Sequence, residues 1–302
     1  MKSGESQPAR GRERFFYGGQ AVIEGVMMRG PSSYAIACRL AKTGEIKIDR
    51  GPLTSKIYTR PFWKLPLIRG LALMVETIHL GMKSMIWSAN LNATGQDLEI
   101  GKREIAIAIL VAAAAGSALF ILIPLLGAGL TVKQSGSFVF VVVEGCIRVV
   151  LVLGYMALIG LLPDVRRVFQ YHGAEHMTIN AYESDWPLEV ESVEKASLLH
   201  PRCGTGFLIV VVVVSVLLFS MVAAFHPNWL GLILSRIAGI PIIAGLSLEY
   251  IRLLGRHRGH PFARLLLVPV LATQKLTTRR PSPDMLEVAI AAFNCALEGG
   301  SV

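Results

Sequence analysis

Four long apolar runs decide what this chain can fold into. Ile105–Leu130 continues for 26 residues without a charged side chain, and Gly204–Phe225 for 22 more, including the stretch IVVVVVSVLLF. A helix needs about 20 apolar residues to cross the hydrocarbon core of a bilayer, so both runs predict spanning helices. Ser137–Leu162 and Trp229–Leu248 are of similar length but carry Glu144 and Arg148 in the first, Arg236 in the second. Composition agrees: 53% of the residues are hydrophobic and 17% charged, whereas soluble domains average about 25% charged residues.

Short polar turns around Lys133 and around His226-Pro227-Asn228 pair the runs into two hairpins, 105–162 and 204–250. The expected fold is mainly α: a polytopic membrane protein with two transmembrane helical hairpins and a small α+β cytoplasmic part containing an N-terminal β-hairpin. The first turn holds one basic residue and the second none. The connection 163–203 holds Arg166, Arg167, Lys195 and Arg202, and Arg252, Arg256, Arg258, Arg264, Lys275, Arg279 and Arg280 follow the last run. Basic loops stay inside, so both termini are expected in the cytoplasm and the protein in the plasma (inner) membrane. The net charge of +9 is then read as basic flanks facing anionic lipid. The bilayer is the expected partner, with a membrane protein or a second copy as further candidates, and nucleic acid is not expected.

Charges inside a span are costly and are usually paired or functional. Glu144 and Arg148 are four apart and share a helix face. Arg236 stands at a similar depth in its own run and is expected to bridge the hairpins through Glu144. An ion pair fixing helix packing is the plain reading; a polar cavity or ion path is the sharper one.

Outside the spans, residues 1–16 read as a disordered basic tail with no secretory signal. Region 17–60 joins a glycine-rich segment, YGGQAVIEGVMMRGP, to the alternating stretches YAIACRLA and EIKIDR around a Lys-Thr-Gly turn, the pattern of a β-hairpin. Too irregular for a phosphate loop, the segment lacks a following GK[ST]. In region 61–104, Arg69, Glu76 and Lys83 recur every seven residues on an apolar background, the mark of an interfacial or packed helix rather than a fifth span. Region 251–302 is a basic cytoplasmic segment ending in a helix, which Ser282-Pro283-Asp284 opens with an N-cap and a proline at the first helical position. Cys38, Cys146, Cys203 and Cys295 are widely spaced and form no CxxC, so reduced thiols are expected rather than a disulfide framework.

The chemically pointed segment is QYHGAEHMTINAYE in the central loop. On a helix, His172 and His176 project from one face and can bind one divalent metal. Glu175 between them completes H-x-x-E-H, the inverted-zincin order, in which the glutamate acts as general base toward water. HPRCGT follows, and His200 and Cys203 are both suitable zinc ligands. Glu249, at the cytoplasmic end of the last run, and Glu24 are further candidates. The plain alternative is two histidines hydrogen-bonded at a crowded interface, with Glu175 paired to Arg166, Arg167 or Arg202. Cys203 beside Arg202 also has the setting of an activated nucleophile, although no Cys-His-Asn order supports it.

Taken together, YGGQAVIEGVMMRGP, PLIRG, RVFQYHGAEHMTINAYE, HPRCGTGF and LTTRRPSPDMLEVAI resemble the YqhQ-like family of bacterial membrane proteins, in order, over nearly the whole chain. The family is described as metal-dependent by inference. The resemblance marks His172, Glu175, His176 and Cys203, and it marks Gln20, Glu24, Arg29, Arg69 and Arg202 as substrate-facing candidates. It implies no substrate. Three functions compete: a hydrolase at the cytoplasmic membrane face, with zinc or another divalent metal and Glu175 as base; a scaffold or membrane-protein biogenesis factor in which the cluster is structural; and a transporter using Glu144, Arg148 and Arg236.

Overall fold

The computed structural model describes residues 17–53, 61–65, 68–93, 101–134, 137–225, 228–257 and 260–298. The basic tail, the His226-Pro227 part of the second turn and Arg258 lie outside these.

The predicted hairpin is there, as half of a larger sheet. β1 (Gly18–Val22), β2 (Gly25–Arg29), β3 (Ser33–Arg39) and β4 (Ile46–Pro52) form an antiparallel meander in that order. The alternating stretches became β3 and β4, and their connection turns at Gly44 with a φ of 73°. The glycine-rich segment, read from sequence as tight turns, supplies the other two strands. Only two residues, Ile23 and Glu24, join the pair Val22↔Gly25, and Glu24 takes a φ of 53°. Gly25 is required because a Cβ there would stand 2.2 Å from the Ala37 carbonyl oxygen of β3.

Side chains alternate across a strand, and each face of this sheet has its own cover. Val26, Met28, Ala35 and Ala37 pack in one cluster with Tyr171, Ala174 and Met177 of α5 (Pro163–Glu183), Val193 of the short α6 (Val190–Val193) and Phe293 of α10 (Pro283–Glu298). Met27, Tyr34, Ile36 and Cys38 face Leu80 of α1 (Ile68–Ala93). The charged stripe of α1 makes contacts to the sheet and to α8. Arg69 binds Glu249, Glu76 binds Arg29 at 2.5 Å, and Lys83 donates to the Tyr34 hydroxyl.

Among the described residues, four helices are long and apolar enough to cross a membrane. The first is continuous from α2 (Lys102–Ser117) through a π-helical segment (Ala118–Leu122) to α3 (Ile123–Thr131); the others are α4 (Phe138–Ile159), α7 (Gly204–Ala223) and α8 (Trp229–Arg256). α4 packs against α3 and α7, and α7 against α8. α1 reaches α8 through glycines: a Cβ on Gly70 would lie 3.1 Å from the Gly245 carbonyl, the close approach that small residues permit. α8 runs eight residues beyond the expected apolar run. α9 (Pro261–Thr277) has no counterpart in the sequence reading, which took this stretch as basic connection. Its apolar side, Ala263, Leu267 and Val270, packs on Val210 of α7 and Leu254 of α8.

Glu144 joins α4 to α8 as its depth suggested. It accepts from Arg148 at 2.7 Å and grips Arg236 through both carboxylate oxygens. Arg148 also donates to Ser215 and to the Phe120 carbonyl in the π-helical segment, each at 2.9 Å. All three charged side chains are buried.

Candidate functional site

Pro163 starts α5, and the helix carries the H-x-x-E-H residues onto one face. The rings of His172 and His176 lie edge to face, 4.4 Å between centroids. His172 Nδ1 is 2.9 Å from the Thr277 carbonyl oxygen, and His176 Nδ1 is 2.6 Å from that of Leu198. A carbonyl can only accept, so both Nδ1 atoms carry a proton, and in the neutral ring each Nε2 is left with its lone pair. This is the tautomer that metal-ligating histidines adopt when a carbonyl holds the other nitrogen.

Cys203 caps the N-terminus of α7, its sulfur 3.4 Å from the Thr205 amide nitrogen. His172 Nε2 lies 3.1 Å from that sulfur. His176 Nε2 is buried and has no hydrogen-bond partner among the described residues. The ligand atoms of His172, His176 and Cys203 all lie within 4.8 Å of one another. Glu175 Oε2 is 3.9 Å and 3.8 Å from the two Nε2 atoms. This donor set is of the kind zinc favours, imidazole and thiolate, and a cation there would meet the buried His176 Nε2. The plain alternative of two hydrogen-bonded histidines explains both Nδ1 atoms but leaves His176 Nε2 unexplained.

The remaining candidates divide. His200 stands one layer back, its ring 5.7 Å from that of His176. Its backbone is clamped by Gln274 of α9, which accepts from His200 N at 2.9 Å and donates to its carbonyl at 2.7 Å. Its Nε2 faces Arg202 at 3.4 Å and Glu183 at 3.9 Å. Glu249 is not with His172, His176 and Cys203: both its oxygens accept from Arg69, at 3.0 Å and 2.5 Å, fastening α1 to α8. Glu24 is likewise occupied, held by Arg167 and by the Tyr171 hydroxyl at 3.3 Å. Burial first, and the charge of Glu24 second, raise the Tyr171 pKa, so its hydroxyl remains a donor. Among the described residues no arginine pairs with Glu175; Arg167 takes Glu24 and Arg202 takes Glu183.

Gln20, Arg29, Arg202, His172, Glu175, His200 and Cys203 line one cavity of about 260 Å3 together with Thr77 and Leu80 of α1. Burial lowers the Arg29 pKa and the neighbouring Glu76 opposes that. Gln20 lies against Gly81, where a Cβ would be 2.2 Å from its Oε1. Gly19 lies against Glu175, a Cβ there meeting the Glu175 Cγ at 2.8 Å. Sequence reasoning missed Thr277, Leu198 and Gln274, which act through backbone groups or from the unforeseen α9. It also missed Glu183, although that residue closes the histidine segment.

Comparison with known proteins adds identity without chemistry. The family model DUF1385, described as a protein of unknown function, matches residues 65–299. The uncharacterized protein YqhQ of Bacillus subtilis (strain 168) is 34% identical over 292 residues, 92% of this chain and 91% of that one. No solved structure matches.

Proposed function

The chain belongs to the DUF1385 family, and we propose that it is a multi-pass plasma-membrane protein acting as a metal-dependent hydrolase at the cytoplasmic membrane face. The observation that carries this reading is the buried His176 Nε2, a lone pair with no donor, aimed at a cysteine–histidine pair beside a cavity. His172, His176 and Cys203 hold the ion, zinc by the chemistry of the set. When bound, it supplies Lewis acidity toward water and the scissile group.

Within that reading the chain's own groups have distinct tasks. Glu175, fixed by the helix one residue from His176, takes the proton from water as general base. Arg29 and Arg202, each oriented by a carboxylate partner, bind an anionic part of the substrate, with Gln20 as a neutral hydrogen-bonding neighbour. His200, clamped by Gln274, orients Arg202 from behind. The four apolar helices cross as two hairpins with their tips outward, which puts the sheet, α5 and α10 in the cytoplasm.

Elemental analysis of the purified full chain tests the reading. One zinc per chain is expected, with His176→Ala reducing it to background. A wild-type protein without metal, or an unchanged His176→Ala, overturns it. A second reading is favoured by one observation, the cysteine among the three ligands: a scaffold or biogenesis factor whose ion is structural. Structural zinc sites are closed by four protein ligands, whereas catalytic ones keep an open position. X-ray absorption spectroscopy separates the two by the number of protein ligands on the ion.

A further inference from the structure

A second, larger cavity of about 610 Å3 lies among α4, α7 and α8, a volume ordinary for small-molecule sites, which span about 300–1,000 Å3. Its walls are apolar, with Val152, Met156, Val211, Val212 and Ala244 among them. Both Arg148 and Arg236 line it as well, next to Phe219, their guanidinium carbons 5.9 Å and 4.3 Å from the ring centroid.

The charges at that end do not balance. Arg148 and Arg236 share a single carboxylate, Glu144. No other acidic residue occurs in the four apolar runs 105–130, 137–162, 204–225 and 229–248. Two guanidiniums and one carboxylate leave one positive charge in surroundings where an uncompensated charge is expensive. Each arginine directs three of its nitrogens at protein acceptors, and a guanidinium has five N–H donors, so both can still donate.

The far end of the cavity is formed by Phe169, Thr205 and Thr277. From Arg148 to the end of α4 at Ile159 is eleven residues, about 16 Å at the α-helical rise. An anion that neutralises the arginines and fills this space therefore carries a long apolar body. We propose that the cavity binds a long-chain carboxylate, its single negative charge on Arg148 and Arg236 and its hydrocarbon chain extended toward Thr205. The match is of charge as well as of shape, and it stands whether or not the histidine–cysteine cluster is catalytic.

Photolabelling of the full chain in detergent tests this, using a long-chain fatty acid with a diazirine in its chain and the corresponding uncharged alcohol. The acid is expected to label residues such as Val152, Met156 and Val211 several-fold more than the alcohol does. Arg148→Met removes the surplus charge and should abolish that preference, whereas Arg148→Lys should keep it. Ala244→Phe, which fills the cavity, should suppress labelling, while Leu217→Phe on the exposed face of α7 should not. Equal labelling by acid and alcohol overturns the proposal. So does label spread equally over exposed Leu158 and Leu217, or displacement of the acid by chloride alone. The wild-type comparison decides even where a variant fails to fold.

Discussion

His172 Nε2 and Cys203 Sγ stand 3.1 Å apart although 31 residues separate them in the chain. One belongs to α5 and the other caps α7, so an ion held between them ties the part packed on the sheet to an apolar helix. Cys203→Ser should keep the fold but lower zinc affinity, since thiolate is the softer ligand and zinc favours it over a hydroxyl. Competition with a chromophoric chelator measures this. Unchanged affinity would remove Cys203 from the ligand set.

Gly19→Ala should disturb the same site from the sheet side. The added methyl would stand 2.6 Å from the Met27 carbonyl oxygen and 2.8 Å from Glu175 Cγ. The carbonyl is fixed by the β1–β2 pairing and cannot yield as a side chain can. A loss of about 1–3 kcal/mol, usual for overpacking, is expected in thermal unfolding, with a shifted Glu175. A stability equal to wild type would mean that the strand moves freely.

Glu249→Gln separates a helix-docking pair from a metal ligand. Both carboxylate oxygens are engaged by Arg69, so zinc content should not change. Stability should fall by on the order of 1 kcal/mol, as for a partly exposed bidentate pair. Loss of metal in this variant would restore Glu249 to the ligand set.

The comparison between Glu249 and Cys203 shows what a sequence can convey here. Spacing placed His172, Glu175 and His176 on one helix face because a helix repeats every few residues whatever surrounds it. Cys203 was legible because its motif is local and its element type suits zinc. Glu249 was indistinguishable from it in sequence, since which acid meets Arg69 depends on how Gly70 and Gly245 let α1 and α8 approach. The strands β1 and β2 were hidden because their glycines, needed for close contacts with Glu175 and Ala37, erase the β-branched pattern. α9 was hidden by Pro261, Arg264 and Pro269, although the apolar residues between them pack on α7 and α8. Its loss from the reading took Thr277 and Gln274 with it, the groups that fix His172 and His200.

Cys38 makes the fold sensitive to alkali. The thiol is fully buried, and burial first, with the charge of Glu24 second, pushes its pKa from 9.0 up to about 12. A raised pKa means that the folded state holds the proton more tightly than the unfolded chain. The contribution is therefore complete below pH 9 and is lost as pH climbs toward 12, at about 1.4 kcal/mol per pH unit at most. Wild type should lose thermal stability across that window faster than Cys38→Ala. Parallel curves for the two proteins would exclude the thiol as the cause.

Glu144 and Arg148 should respond to neutralisation in very unequal ways. Glu144→Gln leaves Arg148 and Arg236 facing each other with no carboxylate, and breaking a buried ion pair from one side typically costs about 3–5 kcal/mol. Arg148→Met instead leaves Arg236 paired with Glu144 at zero net charge, and loses the hydrogen bonds to Ser215 and the Phe120 carbonyl. Each such bond is worth on the order of 1 kcal/mol, and the surplus charge it removes was itself unfavourable. Thermal unfolding in one detergent should therefore rank wild type and Arg148→Met close together and Glu144→Gln well below both. The reverse order would mean that the Arg148 bonds to Ser215 and the Phe120 carbonyl, rather than the Glu144 carboxylate, carry the packing of α4.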